Sequence, residues 1–421
     1  MITQAQIYKQ TILNEVERIK KTNSSVLIFG AARAGWYVIK VLEHFGIKIS
    51  GILDNNQSKY GTYLEYPVGS PASMYNKYPD SILYLGLFVP NTAQVVESQM
   101  RRTGFQQISF LIEAFLFSYF IDVAGRNVDE KIFAESIKIL FENYNEGKNK
   151  SGYDSKNHFI SPYVTGYLTQ RCSLKCKDCG SLMPYYKSPK NFDVDDIVND
   201  IKQYAKAFDV VPEISLSGGE PFLHPEFHII CEKISTIPNI IFINFTTNGT
   251  ILPSEEQLQL LAKCGADVHQ SNYGNLSKKQ NELFEAFSKY NIYCDINFVN
   301  NNHKWFPGPQ FTKYNRKDDV NNEIFRKCIA SNCFCCQIAA GELHRCAASM
   351  NGTRQGLLPI NSKDYVNLQD RRKIDSQITE EIRAFLMRDN AISACDFCNL
   401  WENEFVEPAI QLQKNNYIKK I

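Results

Sequence analysis

The sequence predicts an α/β protein in three regions: one parallel α/β unit, a second and larger one, and a cysteine-rich tail. Three observations carry this reading. Short apolar runs alternate with amphipathic stretches along most of the chain, the rhythm of parallel sheets covered by helices. Asn145 to Asn157 (NEGKNKSGYDSKN) is polar and almost free of apolar residues, which marks a linker. From Lys327 the rhythm stops and cysteines gather.

In chain order, Met1 to Lys21 reads as an amphipathic helix with Ile7, Ile12, Val16 and Ile19 on one face. Ser25–Gly30 (SVLIFG) is an apolar strand, followed by a helix over Trp36–Phe45 and a strand over Ile47–Leu53. The next unit places a strand in Ser81–Val89, a helix over Thr92–Thr103 and a strand over Gln107–Ile112; Asp129–Tyr144 is a helix leading to the linker. Beyond it, strands are expected at Tyr163–Thr169, Glu213–Ser217, Ile240–Thr246, Ala266–Gln270 and Tyr293–Phe298. Helices fit between them at Val194–Phe208, Glu226–Ile234, Ser254–Cys264 and Lys278–Tyr290. This second set reads as a partial barrel. The expected domains are 1–125, a helix and linker over 126–158, the barrel over 159–325, and the tail over 326–421.

Composition narrows the function. The 421 residues are 44% hydrophobic and 22% charged, as in an ordinary globular chain. Forty-six basic and 45 acidic residues leave a net charge of +1, so neither nucleic acid nor an anionic membrane is an expected partner. The N-terminus lacks a signal-peptide core, and the apolar run Ile108–Ile121 is too short to span a bilayer and contains Glu113. The expected location is the cytoplasm, where 13 clustered cysteines point to metal or iron–sulfur ligation before disulfides.

Cys172, Cys176 and Cys179 follow the Tyr163–Thr169 strand as Cys-x3-Cys-x2-Cys. Three thiolates on one loop can hold three irons of a cubane and leave the fourth open. Taken alone, the loop also suits a zinc site, which wants a fourth Cys or His in register. The next strand ends in Gly218-Gly219-Glu220-Pro221, and the one after it in Thr246-Thr247-Asn248-Gly249. The glycines allow close backbone approach to a ligand, and Glu220 can accept from an ammonium. All three features fall at C-terminal strand ends, where α/β barrels carry their active sites.

The series CSLKCKDC, GGEP and TTNG, in that order, resembles the radical S-adenosylmethionine (SAM) superfamily from about Ile160 to Phe298. The resemblance implies a partial (β/α)6 barrel. It also implies a [4Fe–4S] cluster on Cys172, Cys176 and Cys179, whose open iron chelates the methionine end of SAM. Gly218, Gly219 and Glu220 match the segment that holds the methionine ammonium, and Asn248 and Ser271 match positions of ribose or carboxylate contacts. Asp178 departs from the family, which usually has an aromatic or apolar residue there beside the adenine. The implied chemistry is a 5′-deoxyadenosyl radical that takes a hydrogen atom from an unactivated carbon.

Downstream lie Cys328, Cys333, Cys335, Cys336, Cys346, Cys395 and Cys398. Gln337–Ala347 reads as a hairpin turning at Ala340-Gly341, with Leu343 facing inward. The set resembles the twitch module, a short relative of the SPASM module that follows some radical SAM barrels. That implies a second [4Fe–4S] cluster on Cys328, Cys346, Cys395 and Cys398, with Cys333 an alternative to Cys328. Cys335 and Cys336 are read as small buried side chains, as are Cys231, Cys264 and Cys294. His224 and His269 are read as satisfied polar groups, and Tyr273, His303 and Trp305 as pocket candidates.

In the first unit, Gly30-x-Ala32-x-x-Gly35 follows a strand and opens a helix, with Asp54 downstream, close to the dinucleotide fingerprint. The segment Gly51–Pro71 resembles Rossmann-like domains of sugar acyltransferases and other sugar-modifying proteins. Two readings stay open: a nucleotide or dinucleotide held at Gly30, Gly35 and Asp54, or a scaffold that binds nothing. The expected activity of the whole chain is hydrogen abstraction from a small polar substrate, a sugar or nucleotide-linked sugar. The expected outcome is two-electron alcohol oxidation, with the auxiliary cluster as electron acceptor and a flavodoxin or ferredoxin as donor. Radical epimerisation and peptide maturation are the alternatives, and a non-enzymatic iron–sulfur electron carrier is the rival outside enzymology. No catalytic side chain is singled out.

Overall fold

The computed structural model describes residues 2–145, 158–298, 304–305, 311–328, 330, 335–399 and 404–412. Most of the expected linker, together with His303 and Cys333, lies outside them. The chain divides into two compact units, Met1–Asn149 with Lys263–Gly265, and Lys150–Ala262 with Ala266–Ile421. Among the described residues, no helix is long and apolar enough to cross a membrane.

The first unit holds α1 (Gln4–Thr22), β1 (Val26–Phe29), α2 (Arg33–His44), β2 (Gly51–Leu53), β3 (Gly61–Tyr63), β4 (Tyr66–Gly69), α3 (Pro71–Lys77), β5 (Ile82–Leu85), α4 (Pro90–Thr103), β6 (Gln107–Ser109), α5 (Ile112–Ser118) and α6 (Glu130–Asn145). Its sheet runs β3-β4-β2-β1-β5-β6, parallel except for the β3–β4 pair. Leu27, Phe29, Leu53, Leu83 and Leu85 on the strands pack with Met74, Val96, Met100 and Phe105. The buried stripe of α1 is Ala5, Tyr8, Ile12, Val16 and Ile19. Ile7, expected on that face, is exposed, because the helical spacing back from Ile12 reaches Tyr8. The strand expected through Ile112 stops at Ser109. Ile112 begins α5, whose Phe115, Leu116 and Phe117 are fully buried, and Glu113 is satisfied there by the Tyr8 hydroxyl at 2.5 Å.

The second unit follows the expected alternation closely: β7 (Val164–Thr169), α7 (Val194–Ala205), β8 (Val211–Gly218), α8 (Phe227–Ser235), β9 (Ile240–Thr247), α9 (Glu255–Lys263), β10 (Asp267–Asn272), α10 (Gln280–Lys289) and β11 (Cys294–Phe298). There follow α11 (Asp318–Lys327), β12 (Cys336–Ala339), β13 (Glu342–His344), α12 (Ala347–Arg354), β14 (Tyr365–Asn367) and α13 (Asp375–Met387). The sheet order is β11-β10-β9-β8-β7-β12-β13-β14. Six parallel strands run from β11 to β12; the sixth, β12, comes from the cysteine-rich region and pairs with the first, β7. The β12–β13 hairpin turns at Ala340 and Gly341, both at positive φ, the two-residue turn whose twist suits a hairpin. Leu343 is fully buried, as expected.

The two faces of this sheet differ in chemistry. Ile214, Leu216, Ile243, Phe245 and Val268 are buried on one side, with Phe227 of α8 packed edge-on to Phe245. Alternate residues point to the other side, where Phe242 is apolar but Glu213, Ser215, Asn244, Thr246, His269 and Asp295 are polar. A parallel sheet normally reads as apolar on both faces, so the polar face asks for a function.

Candidate active site

The cysteine loop, the end of β8 and the end of β9 meet. Gly219 N–H donates to Thr169 O at 2.8 Å and Glu220 N–H to Arg171 O at 2.9 Å, so β8 ends directly against the start of the loop. A Cβ on Gly219 would approach Arg171 O closer than the 3.0 Å that real Cβ atoms keep, and would lie 3.1 Å from the Cys172 Cβ. Gly218 sits at φ +127°, beyond the reach of an ordinary side chain. The glycine pair therefore admits neighbouring protein backbone as well as any ligand.

Glu220 is fully buried. One carboxylate oxygen accepts from the Thr247 hydroxyl at 2.8 Å and Phe222 N–H at 3.3 Å, and the other from Asn248 N–H at 2.8 Å. Burial pushes its pKa up to about 7 against those three donors. The carboxylate thus ties the end of β8 to the end of β9, with little capacity left for a further donor. Asn248 reaches back to the loop, its Nδ2 donating to Ser173 Oγ at 3.0 Å and to Cys172 Sγ at 3.6 Å. Ser271, on β10, joins through Ser277, whose hydroxyl contacts the carbonyls of Asn248 at 2.8 Å and Ser271 at 3.1 Å.

Cys172, Cys176 and Cys179 form one packed cluster with Leu174, Ala409, Tyr273, Leu276 and Trp305. Tyr273 and Trp305 meet edge to face at 5.5 Å beside the cysteines. Burial pushes the Cys172 thiol to about 12 and that of Cys176 to about 11, and raises Cys179 as well. Two sulfurs receive amide N–H donors, Cys172 from Asn248 and Cys176 from Gln411 at 3.3 Å. Such donors suit a thiolate better than a thiol. Among the described residues, no three Cys, His, Asp or Glu side chains stand close enough to hold one metal ion. A cubane has no such need, since each thiolate takes its own iron. The donor set fits that group.

The four cysteines expected to form a second site also converge. Burial raises the Cys346 thiol far above the ordinary range, and the neighbouring sulfurs of Cys328, Cys395 and Cys398 raise it further. Burial likewise pushes Cys395 to about 12. Arg316 donates to the carbonyls of Cys395 at 3.3 Å and Cys398 at 3.1 Å, while Asp396 accepts Arg316 N–H at 2.8 Å. Cys336 is core, its sulfur 3.6 Å from the Tyr204 hydroxyl.

On the polar face, His269 Nδ1 lies 2.5 Å from Asp295 Oδ1, and Nε2 is 3.9 Å from Glu213 Oε1. Burial opposes the charge of His269, but the hydrogen bonds to Asp295 and Glu213 outweigh it and push its pKa up to about 9. It is a cation at neutral pH. Glu213 also accepts from Asn244 Nδ2, while Asn244 Oδ1 is buried with no hydrogen-bond partner among the described residues. His224 is satisfied, donating from Nε2 to Phe192 O at 2.9 Å and accepting Glu226 N–H at 3.1 Å.

In the first unit, Gly30 and Gly35 pack on each other and on Gly86, where side chains would collide. Asp54 accepts Ala31 N–H at 2.9 Å and Asn56 N–H at 2.8 Å and pairs with Lys59 at 3.3 Å. The acidic residue of the fingerprint thus secures the glycine loop.

Residues 167–271 match the model of the radical SAM superfamily. That segment belongs to the radical SAM superfamily. Residues 2–113 match a C-methyltransferase C-terminal domain. Curated relatives of the chain include a GTP 3′,8-cyclase of Stenotrophomonas maltophilia, 33% identical over 22% of this chain and 28% of its own length. Another, from Aquifex aeolicus, is 31% identical over 27% of this chain and 36% of its own length. The chain thus spans about a third of these relatives. Among solved structures, BtrN in complex with AdoMet and 2-DOIA is similar at 14% identity and a TM-score of 0.37, covering 60% of this chain and 96% of BtrN.

Sequence reading missed four contributors: Ser277, Arg316, Gln411 and the His269–Asp295 pair as a unit. The alternation of polar residues along β8, β9 and β10 was the available signal for the last.

Proposed function

We propose that the chain is a radical SAM enzyme with an auxiliary cluster that oxidises an alcohol of a small polar substrate, a sugar or nucleotide-linked sugar. The observation that carries this reading is the junction of the cysteine loop with Glu220 and Asn248 at three adjacent strand ends. In the proposal, Cys172, Cys176 and Cys179 hold a [4Fe–4S] cluster with SAM on its open iron. When bound, this pair supplies a 5′-deoxyadenosyl radical for hydrogen abstraction. Cys328, Cys346, Cys395 and Cys398 hold the second cluster, so that 159–325 together with β12 serve as the barrel and the rest of 326–421 as the auxiliary module.

The chain's own residues orient and shield. Tyr273 and Trp305 cover the cysteine loop with apolar surface that excludes water. His269, Asp295, Glu213 and Asn244 offer hydroxyl and amine groups both donors and acceptors, which favours a polar substrate over an apolar one. The matched stretch of GTP 3′,8-cyclases favours a nucleotide as the second substrate class. Asp54, engaged with its own loop, favours the scaffold reading of the first unit.

The test is iron and acid-labile sulfide per chain after anaerobic reconstitution, followed by a 5′-deoxyadenosine assay with neutral sugars, amino sugars, nucleotide sugars and GTP. About eight irons in wild type, falling to about four in a Cys172/Cys176/Cys179 triple alanine variant, are expected. Substrate-dependent 5′-deoxyadenosine with loss of two hydrogens from the substrate supports oxidation. Unchanged mass with one solvent deuterium would replace it by epimerisation, and zinc in place of iron would end the enzyme reading.

A further inference from the structure

The segment 404–412 lies alongside the cysteine loop as a short strap. Lys177 N–H donates to Ile410 O at 2.7 Å and Leu412 N–H to Lys175 O at 2.8 Å, with Cys176 and Gln411 bridged antiparallel between them. Its other end is pinned by reciprocal 2.8 Å bonds between Trp305 and Val406. Ala409, 3% exposed, packs among the cysteines.

Gln411 is oriented without ambiguity. Its Oε1 accepts Lys175 N–H at 2.7 Å, and its Nε2 donates to Ala409 O at 2.8 Å and to Cys176 Sγ at 3.3 Å. A flipped amide would set NH2 against the Lys175 N–H and its oxygen against the Ala409 carbonyl, so the backbone decides which end faces the sulfur. An N–H aimed at a cluster thiolate stabilises negative charge on it. The reduced cluster carries one more electron, so the bond is stronger in that state and raises the reduction potential.

We infer that Gln411, delivered by this strap, is a positioning residue that donates to the Cys176 thiolate and makes the cluster on the cysteine triplet easier to reduce. The inference rests on the proposed cluster at Cys172, Cys176 and Cys179. Asn248 plays the matching part at Cys172 from β9, at the longer distance of 3.6 Å.

The test uses the full-length reconstituted protein and two variants. Gln411→Glu keeps the acceptor for Lys175 N–H but replaces the donor with a carboxylate oxygen; Gln411→Leu removes both. The readout is the midpoint potential of the cluster whose EPR signal changes when SAM is added, together with iron content. Gln411→Glu should make one-electron reduction about tenfold less favourable, about 59 mV. Gln411→Leu should shift it in the same direction by less. Loss of iron from Gln411→Glu with retention in Gln411→Leu also supports the contact, since only the carboxylate repels the thiolate. Iron and potential unchanged in both variants would overturn the inference. Wild-type protein whose iron is indifferent to the triple alanine substitution would instead overturn the cluster reading beneath it.

Discussion

Gly219→Ala tests the architecture of the site with a single methyl group. The new Cβ would press on the Arg171 carbonyl and lie 3.1 Å from the Cys172 Cβ. Backbone on one side and a ligand-bearing residue on the other leave no flexible side chain to yield. Relief requires parting the end of β8 from the cysteine loop, which breaks the Gly219–Thr169 and Glu220–Arg171 hydrogen bonds. The variant either keeps the contact at an overpacking cost of about 1–3 kcal/mol or escapes it by losing two bonds worth about 0.5–1.5 kcal/mol each net, so the site is destabilised by about 1–3 kcal/mol either way. Even the lower bound is a factor of about 5 against the wild-type arrangement of the loop. Cys172 then moves away from Asn248, and the triplet loses its geometry. The assay is iron per chain after reconstitution, with Gly180→Ala as control, because a Cβ there meets nothing within 4 Å. The expected result is loss of about four irons in Gly219→Ala and none in Gly180→Ala. Wild-type iron loading in Gly219→Ala would refute the claim that this close approach shapes the site.

Two further outcomes concern pH. The pKa of Glu220, raised by burial to about 7, means that its contribution to apoprotein stability is complete below the unfolded carboxyl value and is lost as pH rises through about 7. That amounts to about 3 kcal/mol, and a Glu220→Gln variant has no titrating group there through which to lose it. Urea midpoints of wild type should therefore fall between about pH 4.5 and 8 by more than those of Glu220→Gln, which lose only the contribution of other groups such as His269. His269 has the same sign at higher pH, its stabilisation complete below about 6.5 and lost through about 9. In Asp295→Asn, the imidazole should titrate lower than in wild type by NMR, since its main stabilising partner is gone while burial still opposes the charge. An unmoved titration would show that Asp295 does not hold the proton.

What the sequence by itself determined is what short-range chemistry determines. The alternation of strand and helix in the second unit is set by local apolar periodicity, and each expected strand from β7 to β11 matches its observed position within a few residues. The Ala340-Gly341 turn is local too, because a two-residue hairpin depends on the φ values of those residues. The Cys172 to Cys179 spacing was legible because one loop carries it. Local pattern failed where an apolar run suited either state: Ile112 starts a helix because Phe115, Leu116 and Phe117 are buried as one packed set.

Tertiary structure alone decided everything that joins distant segments. It paired β12 with β7, although more than a hundred residues separate them, and so made part of the cysteine-rich region the sixth parallel strand. It brought Asn248 to Cys172, Gln411 to Cys176, and Asp295 to His269. It also engaged Asp54 with Ala31 N–H, where the sequence pattern alone left open a contact with a bound nucleotide. Propensity and periodicity act over a few residues, whereas these contacts depend on sheet register and on which buried polar groups find partners.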